Sequence, residues 1–424
     1  MQTSLRLLGR RRFLPIFATQ FLGAFNDNLF KTSMVLFATY QVYSDPKVET
    51  QFNALATGLF ILPFFLLSAF SGQLADTRDK AKIVRIVKTV EIVIMLVGAA
   101  GLMLPSIPLM LAAVLAMGVH STFFGPIKYA ILPQHLDADE VLGGTGLVEA
   151  GTYIAILAGT IAAGFITHEP RIAASMVLAV AVLGWIAGRQ IPPAPPVHEK
   201  REVDWHIVRA SVRLVNATMH IPRLFLAICS ISFFWTIGAV LIIEFPPLVK
   251  NVLTANEQVA SLFLAVFSIG VAVGSVAINR LLQGKVSARF SPVSVIAMAG
   301  FVLAVYAIAK TWQGDGPGEL YDLAEFVRHP SALGLLGALF GVAVTGGMFV
   351  VPLYAFLTTT VDKDQTARTV AANNIVNSGA MVLGSLLAFT LSGLGVSAVD
   401  QLLMVSAMCF VSAWLAWKLH LACD

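Results

Sequence analysis

The sequence predicts an all-α membrane protein: twelve transmembrane helices in two six-helix pseudo-repeats. Three observations predict it. Of 424 residues, 57% are hydrophobic and only 12% charged, whereas soluble domains carry about 25% charged residues. The apolar residues fall into twelve stretches near the length of roughly 20 residues that a bilayer requires. Lys and Arg alternate between crowded and sparse connections along the chain, as they do when loops lie alternately inside and outside.

The first stretch, 13–42, follows Arg10-Arg11-Arg12. Basic residues before an apolar run also begin a signal peptide. This run is far longer than a signal's apolar core, so it reads as a retained first span. Spans two to six are expected at 52–75, 83–104, 107–125, 142–166 and 172–191. Spans seven to twelve are expected at 224–249, 259–279, 292–310, 332–357, 369–394 and 398–419.

The longest non-membrane connection separates spans six and seven. It opens on Pro192-Pro193-Ala194-Pro195-Pro196, a stiff exit. The stretch 205–219 is expected to form a helix along the membrane surface. The organisation is therefore a bundle at 1–191, a cytoplasmic linker at 192–222 and a second bundle at 223–424.

With the N-terminus inside, twenty-two of the 28 Lys and Arg residues face the cytoplasm. They include Arg78, Lys80, Lys82, Arg85 and Lys88 after span two, Lys200 and Arg201 in the linker, and Lys285 and Lys363 later. Lys47, Arg171, Lys250, Lys310 and Arg328 fall outside, and Lys31 lies within a span. Both termini are thus expected to be cytoplasmic. The net charge of +4 follows from these loops, and no basic–aromatic run suits nucleic acid. Cys229, Cys409 and Cys423 have no metal or disulfide spacing. No zinc motif, nucleophile elbow or phosphate loop occurs, so neither an enzyme nor a bound cofactor is expected.

The spans contain residues that hydrocarbon excludes. Gln20, Gly23, Asp27 and Lys31 recur at helical spacing on one face of span one, flanked by Asn26 and Asn28. A charge at mid-bilayer costs about 2.5–3.5 kcal/mol on insertion scales and is commonly functional. Asp27 and Lys31, at i,i+4, can neutralise each other. Glu91, His120 and Glu149 lie in spans three, four and five, and Lys128 follows span four. The second half offers Glu244, with Asn373 and Asn377 on one face of span eleven.

Each has a plainer reading as a packing ion pair, a snorkelling lysine or an interhelical hydrogen bond. Charges of both signs nonetheless concentrate in the first half, while the second is mostly Phe, Leu, Val, Ala and Gly. A cargo with a zwitterionic head and a greasy body suits that asymmetry. Phosphate calls for Lys or Arg, and an ammonium calls for a carboxylate.

Two levels of resemblance follow. Gly72-Gln73-Leu74-Ala75-Asp76-Thr77-Arg78-Asp79-Lys80 resembles the signature loop of the major facilitator superfamily, with Gly72, Asp76, Arg78 and Lys80 as its cytoplasmic gate. Thr77 and Asp79 depart from that signature, standing where arginine and glycine are usual. Gly23-Ala24-Phe25-Asn26-Asp27-Asn28-Leu29-Phe30-Lys31, Gly125-Pro126-Ile127-Lys128-Tyr129-Ala130-Ile131-Leu132 and Gly146-Leu147-Val148-Glu149-Ala150 resemble the lysophospholipid transporter family.

That resemblance implies a flippase of the bacterial inner membrane. It would carry lysophosphatidylethanolamine-type lipids from the outer to the inner leaflet by alternating access, for re-acylation. It places Asp27, Lys128 and Glu149 in the transport cavity. Glu244 is a departure, since relatives can carry a basic residue in span seven. The chain ends shortly after span twelve, so an acyltransferase partner would be a separate polypeptide; the transporter itself is expected to be monomeric. Two other functions fit the residues: a proton-coupled exporter of drugs or other amphiphiles, and a membrane scaffold that docks an acyltransferase.

Overall fold

The computed structural model describes residues 6–137, 140–196, 203–283, 287–313, 320–359, 361 and 366–423. The expectations for Lys200, Arg201, Lys285 and Lys363 fall outside these residues. The described chain is helical, with no strand beyond one isolated bridge between Ala255 and Tyr321. Twelve long helices carry the fold. They are α1 (Leu14–Phe37), α2 (Pro46–Thr77), α3 (Lys80–Met103), α4 (Ile107–Ala130), α5 (Val141–Ile166), α6 (Pro170–Arg189), α7 (Pro222–Asn251), α8 (Glu257–Leu281), α9 (Ser291–Lys310), α10 (Ala332–Thr359), α11 (Thr366–Gly393) and α12 (Ala398–Cys423).

Eleven of these, α2 to α12, are long and apolar enough to cross a membrane. Helix α1 has the length, at 24 residues, or about 36 Å at 1.5 Å per residue. Its polar stripe makes it less apolar than the rest.

Local chemistry sets the helix starts. Asp79 caps α3 by accepting from the Ala81 and Lys82 amides, and Asn256 caps α8 through the Gln258 and Val259 amides. Proline occupies the first turn of α4, α6, α7 and α9, where its missing N–H leaves no bond unmade. The surface-helix expectation corresponds to an amphipathic helix at Ile207–Met219.

The chain forms two compact units: residues 1–37 with 66–211, and residues 38–65 with 212–424. The same packing pattern recurs in both. In the first unit α1 packs on α5 and α6, and α3 on α4 and α6. In the second, α7 packs on α11 and α12, and α9 on α10 and α12. Glycines permit the tight crossings. A Cβ on Gly159 of α5 would lie 2.5 Å from Phe25 O of α1, and one on Gly274 of α8 would lie 2.0 Å from Val344 O of α10.

A polar hub explains why 38–65 groups with the second half. Lys250 at the end of α7 donates to the Thr39 and Tyr43 carbonyls and to Glu49 Oε1 at 2.5 Å. Asn251 donates to the other Glu49 oxygen at 2.6 Å. Tyr40 donates to Ala255 O, and Ser392 to Lys47 O. Lys47 and Lys250, both expected outside, thus fall in one region. Further along α7, Pro247 cannot donate to Ile243 O, and Asn53 of α2 approaches that carbonyl instead, at 3.4 Å.

Candidate functional site

The charged residues expected in spans one, three, four and five belong to one unit. Glu91 of α3 is their centre, at 1% exposure. It pairs with Lys88 one turn earlier, accepts from Asn26 Nδ2 at 3.1 Å and has His120 Nε2 3.2 Å away.

This corrects one expectation. Lys88 is not an inner-loop charge. It is 1% exposed, and its stem threads a slot left by three glycines. A Cβ on Gly23 would meet Lys88 Nζ at 3.0 Å, one on Gly184 would meet Cε and Nζ at 3.2 Å, and one on Gly188 would meet Cγ at 3.3 Å. Glu91 accordingly secures Lys88, with His120 beside it. The helical pitch decides this: Lys88 and Glu91 are three residues apart on one face.

Asp27 of α1 accepts from Ser121 Oγ of α4 at 2.6 Å. Its other oxygen, Oδ1, is buried with no hydrogen-bond partner. Lys31 and Lys128 are both within electrostatic reach of Asp27, and Lys128 is also within reach of Glu149. Glu149 accepts from the Tyr129 hydroxyl, and Lys128 Nζ sits 4.8 Å from the Tyr129 ring. Asn28 turns back to its own helix, donating to Ala24 O at 2.9 Å. Gln20 bridges to α5, donating to Val148 O and accepting from Thr152, so that part of the stripe ties helices together.

The loop after α2 differs in detail from its expected gate. Gly72 is half-buried, and Asp76 and Arg78 are exposed. Among the described residues Asp76 forms no ion pair. The acid that organises the loop is Asp79, which caps α3 and lies 3.3 Å from the Ala194 amide. Lys80 is buried, and its amide donates to Ala194 O at 2.9 Å. Arg85 donates to Ile191 O. The stitched loop and linker close a core of Phe13, Val84, Val87, Ile127, Leu132 and Val148.

Nearby, Arg10 and Arg12 pair with Glu140 at 2.6 Å, and Arg12 with Asp137 at 3.0 Å. The Arg12 hydrogen bond holds the Asp137 carboxyl below its ordinary range. On the linker, Arg209 does the same to Asp204.

In the second unit Asn377 accepts from Ser232 at 2.7 Å and donates to the Tyr354 hydroxyl at 3.3 Å. Asn373 is buried with both amide atoms unpartnered, as are both oxygens of buried Glu244. Sequence reasoning missed Lys88, Ser121 and Tyr129 as members of the site. The i,i+3 spacing of Lys88 to Glu91 inside an Ile/Val-rich run was the available signal for the first.

A sequence profile of the Major Facilitator Superfamily matches residues 16–385. The chain belongs to that superfamily. This member is 27% identical over 378 residues to a protein named lysophospholipid transporter LplT from Salmonella newport (strain SL254), covering 87% of this chain and 85% of the relative. It is 25% identical over 354 residues to the protein of that name from Serratia proteamaculans (strain 568), covering 82% and 80%.

Solved superfamily structures share the fold. A D-xylose–proton symporter gives a TM-score of 0.68 at 12% identity over 96% of this chain and 98% of its own. A POT family transporter gives 0.72 at 8% identity over 96% and 95%. The twelve-helix expectation is therefore met, and the chain is a multi-pass membrane protein of a transporter superfamily.

Proposed function

We propose that this protein is a lysophospholipid transporter of the bacterial inner membrane and not an enzyme. It moves lysophosphatidylethanolamine-type lipids from the outer to the inner leaflet by alternating access, and a separate acyltransferase re-acylates them. The observation that carries the reading is Asp27. Its Oδ1 is buried and unpartnered, while Lys31 and Lys128 lie within electrostatic reach of the same carboxylate. A buried acceptor left open costs about 1–3 kcal/mol. The ammonium of a zwitterionic head group removes that cost, and its phosphate meets the lysines. The names of the sequence relatives support the same cargo.

Asn26, Glu91 and His120 hold this seat in shape, and Asn28, Glu149, Asn373 and Asn377 are further substrate-binding residues. The bundles divide at the linker 192–222, with both termini cytoplasmic and one chain per transporter. Gly72, Asp76, Arg78 and Lys80 act as the cytoplasmic gate in the states that close that side. The test is uptake of labelled lysophosphatidylethanolamine by spheroplasts. Uptake that depends on the protein and is lost in Asp27→Asn supports the assignment. Normal uptake by Asp27→Asn protein present in the membrane overturns the seat, and drug efflux without lysolipid uptake overturns the cargo.

A further inference from the structure

The helix at Ile207–Met219 stands apart from the polar interior. At about 3.6 residues per turn, Val208, Val212, Val215 and Met219 fall on one stripe. Arg209 and Arg213 form a second stripe beside it. Ile207 and Leu214, both half-buried, and buried Thr218 form a third, which the helix turns to the protein. The apolar stripe stays uncovered. Val208 is 71% exposed, Val212 53%, and Trp205 just before the helix 71%. Among the described residues this helix shares no extensive packing with any of the twelve long helices.

Both ends of the helix are tied to membrane spans. Ahead of it, the Asp204 amide donates to Gln73 Oε1 at 2.8 Å, and the Trp205 ring centroid lies 5.4 Å from that of Phe70. Phe70 and Gln73 belong to the last turns of α2. Past Met219, two residues lead into α7 at Pro222. Thirteen helical residues span about 20 Å. Joined at each end to the end of a span, they run along the bilayer surface rather than out from it.

We propose that this helix is a binding surface for anionic phospholipid. Trp205, Val208 and Val212 enter the acyl region, and Arg209 and Arg213 hold lipid phosphates along its edge. The leaflet is the inner one by the topology proposed above, and the lipid class does not depend on that topology.

Charge complementarity selects the lipid. From Asp204 to Arg223 the chain carries three arginines and one acidic residue. Arg209 shares its charge with that acid, Asp204, at 3.0 Å. Arg213 is exposed and forms no ion pair among the described residues. A guanidinium binds phosphate through two parallel N–H donors. A phosphate at the membrane surface offers that contact while the acyl chains below it cover the valines. The ties to the two spans keep the stripe at the bilayer, where acyl chains are the nearest apolar cover.

The experiment places an environment-sensitive fluorophore on full-length protein whose native cysteines have been replaced. It sits at Val212→Cys or Val208→Cys on the apolar stripe, or at Ala217→Cys on the opposite face. Proteoliposomes of phosphatidylcholine receive increasing fractions of phosphatidylglycerol in both leaflets, so orientation does not affect the result. The stripe probes are expected to shift to the blue, and to be quenched by lipids brominated on the acyl chain, as the anionic fraction rises. The Ala217→Cys probe is expected to stay in water. Replacing Arg209→Gln and Arg213→Gln is expected to weaken the response to phosphatidylglycerol about fivefold per arginine, compared in variants that elute as the parent protein does. Stripe probes that stay in water in every vesicle overturn the proposal and leave the face to a partner protein. Equal insertion in phosphatidylcholine alone, or an unchanged response in the arginine variant, overturns the anionic-lipid assignment. All of these outcomes leave the transport reading standing, since lysolipid uptake tests it separately.

Discussion

Two side chains carry the site, and each makes a distinct prediction. Asp27→Asn keeps the size and the Ser121 contact but removes the charge. It is expected to lower lysophosphatidylethanolamine uptake at least tenfold while leaving protein levels in the membrane unchanged, measured by transport and immunoblot together. Lys88 acts through packing and charge. Lys88→Met leaves Glu91 buried with less compensation, and loss of one partner of a buried pair costs about 3–5 kcal/mol. A clear fall in thermal stability in detergent is expected, with partial recovery when Glu91→Gln is added. Asp27 was legible in the sequence because a carboxylate in a span stands out against hydrocarbon. Lys88 was not, because a lysine near a span end is indistinguishable from a snorkelling loop charge until the glycines around its stem are assembled. Those glycines come from α1 and α6, far apart in the chain.

Helix ends and crossings form the next scale. Asp79 caps α3 and meets the linker backbone at Ala194. Asp79→Ala is expected to cost about 1 kcal/mol from the cap alone, seen as a lower unfolding temperature. The crossing of α8 on α10 is more demanding. Gly274→Ala places a methyl 2.0 Å from Val344 O, so the helices must separate. A loss of about 1–3 kcal/mol is expected, read by thermal denaturation monitored through size-exclusion behaviour. Gly300→Ala, whose Cβ would meet nothing within 4 Å, is the control and is expected to be neutral or slightly stabilising. Helix positions were readable from apolar length, and the observed helices begin and end within six residues of the expected spans. The crossings were not readable, because a glycine in a span looks alike whether it faces a neighbouring backbone or open space.

At the scale of the whole molecule, the proposed topology places Arg6 inside and Lys47 outside. In a protein whose native cysteines have been replaced, a membrane-impermeant maleimide on intact spheroplasts is expected to label Lys47→Cys and to spare Arg6→Cys until the cells are opened. Labelling of Arg6→Cys in intact cells would reverse the orientation. The internal packing repeats from one unit to the other, α1 on α5 and α6 as α7 on α11 and α12. The chemistry does not repeat. Lysine–glutamate and histidine–glutamate contacts fill the first interior, while the second holds unpartnered Glu244 and a Ser232–Asn377–Tyr354 network.

Composition, span length and the distribution of basic residues determined the fold class without any coordinates. Each is a sum over many residues, and the cost of placing charge in hydrocarbon makes that sum decisive. The sequence also determined which half holds the buried charge, since counting suffices. Only the tertiary structure decided the partners: Glu91 with Lys88 and His120, Asp27 with Ser121, Asp79 rather than Asp76 as the acid that organises the loop. An ion pair or hydrogen bond depends on a few ångströms between residues tens of positions apart. Those distances are set by which helices cross and at which glycine, a property of the packed bundle that no local stretch of sequence contains.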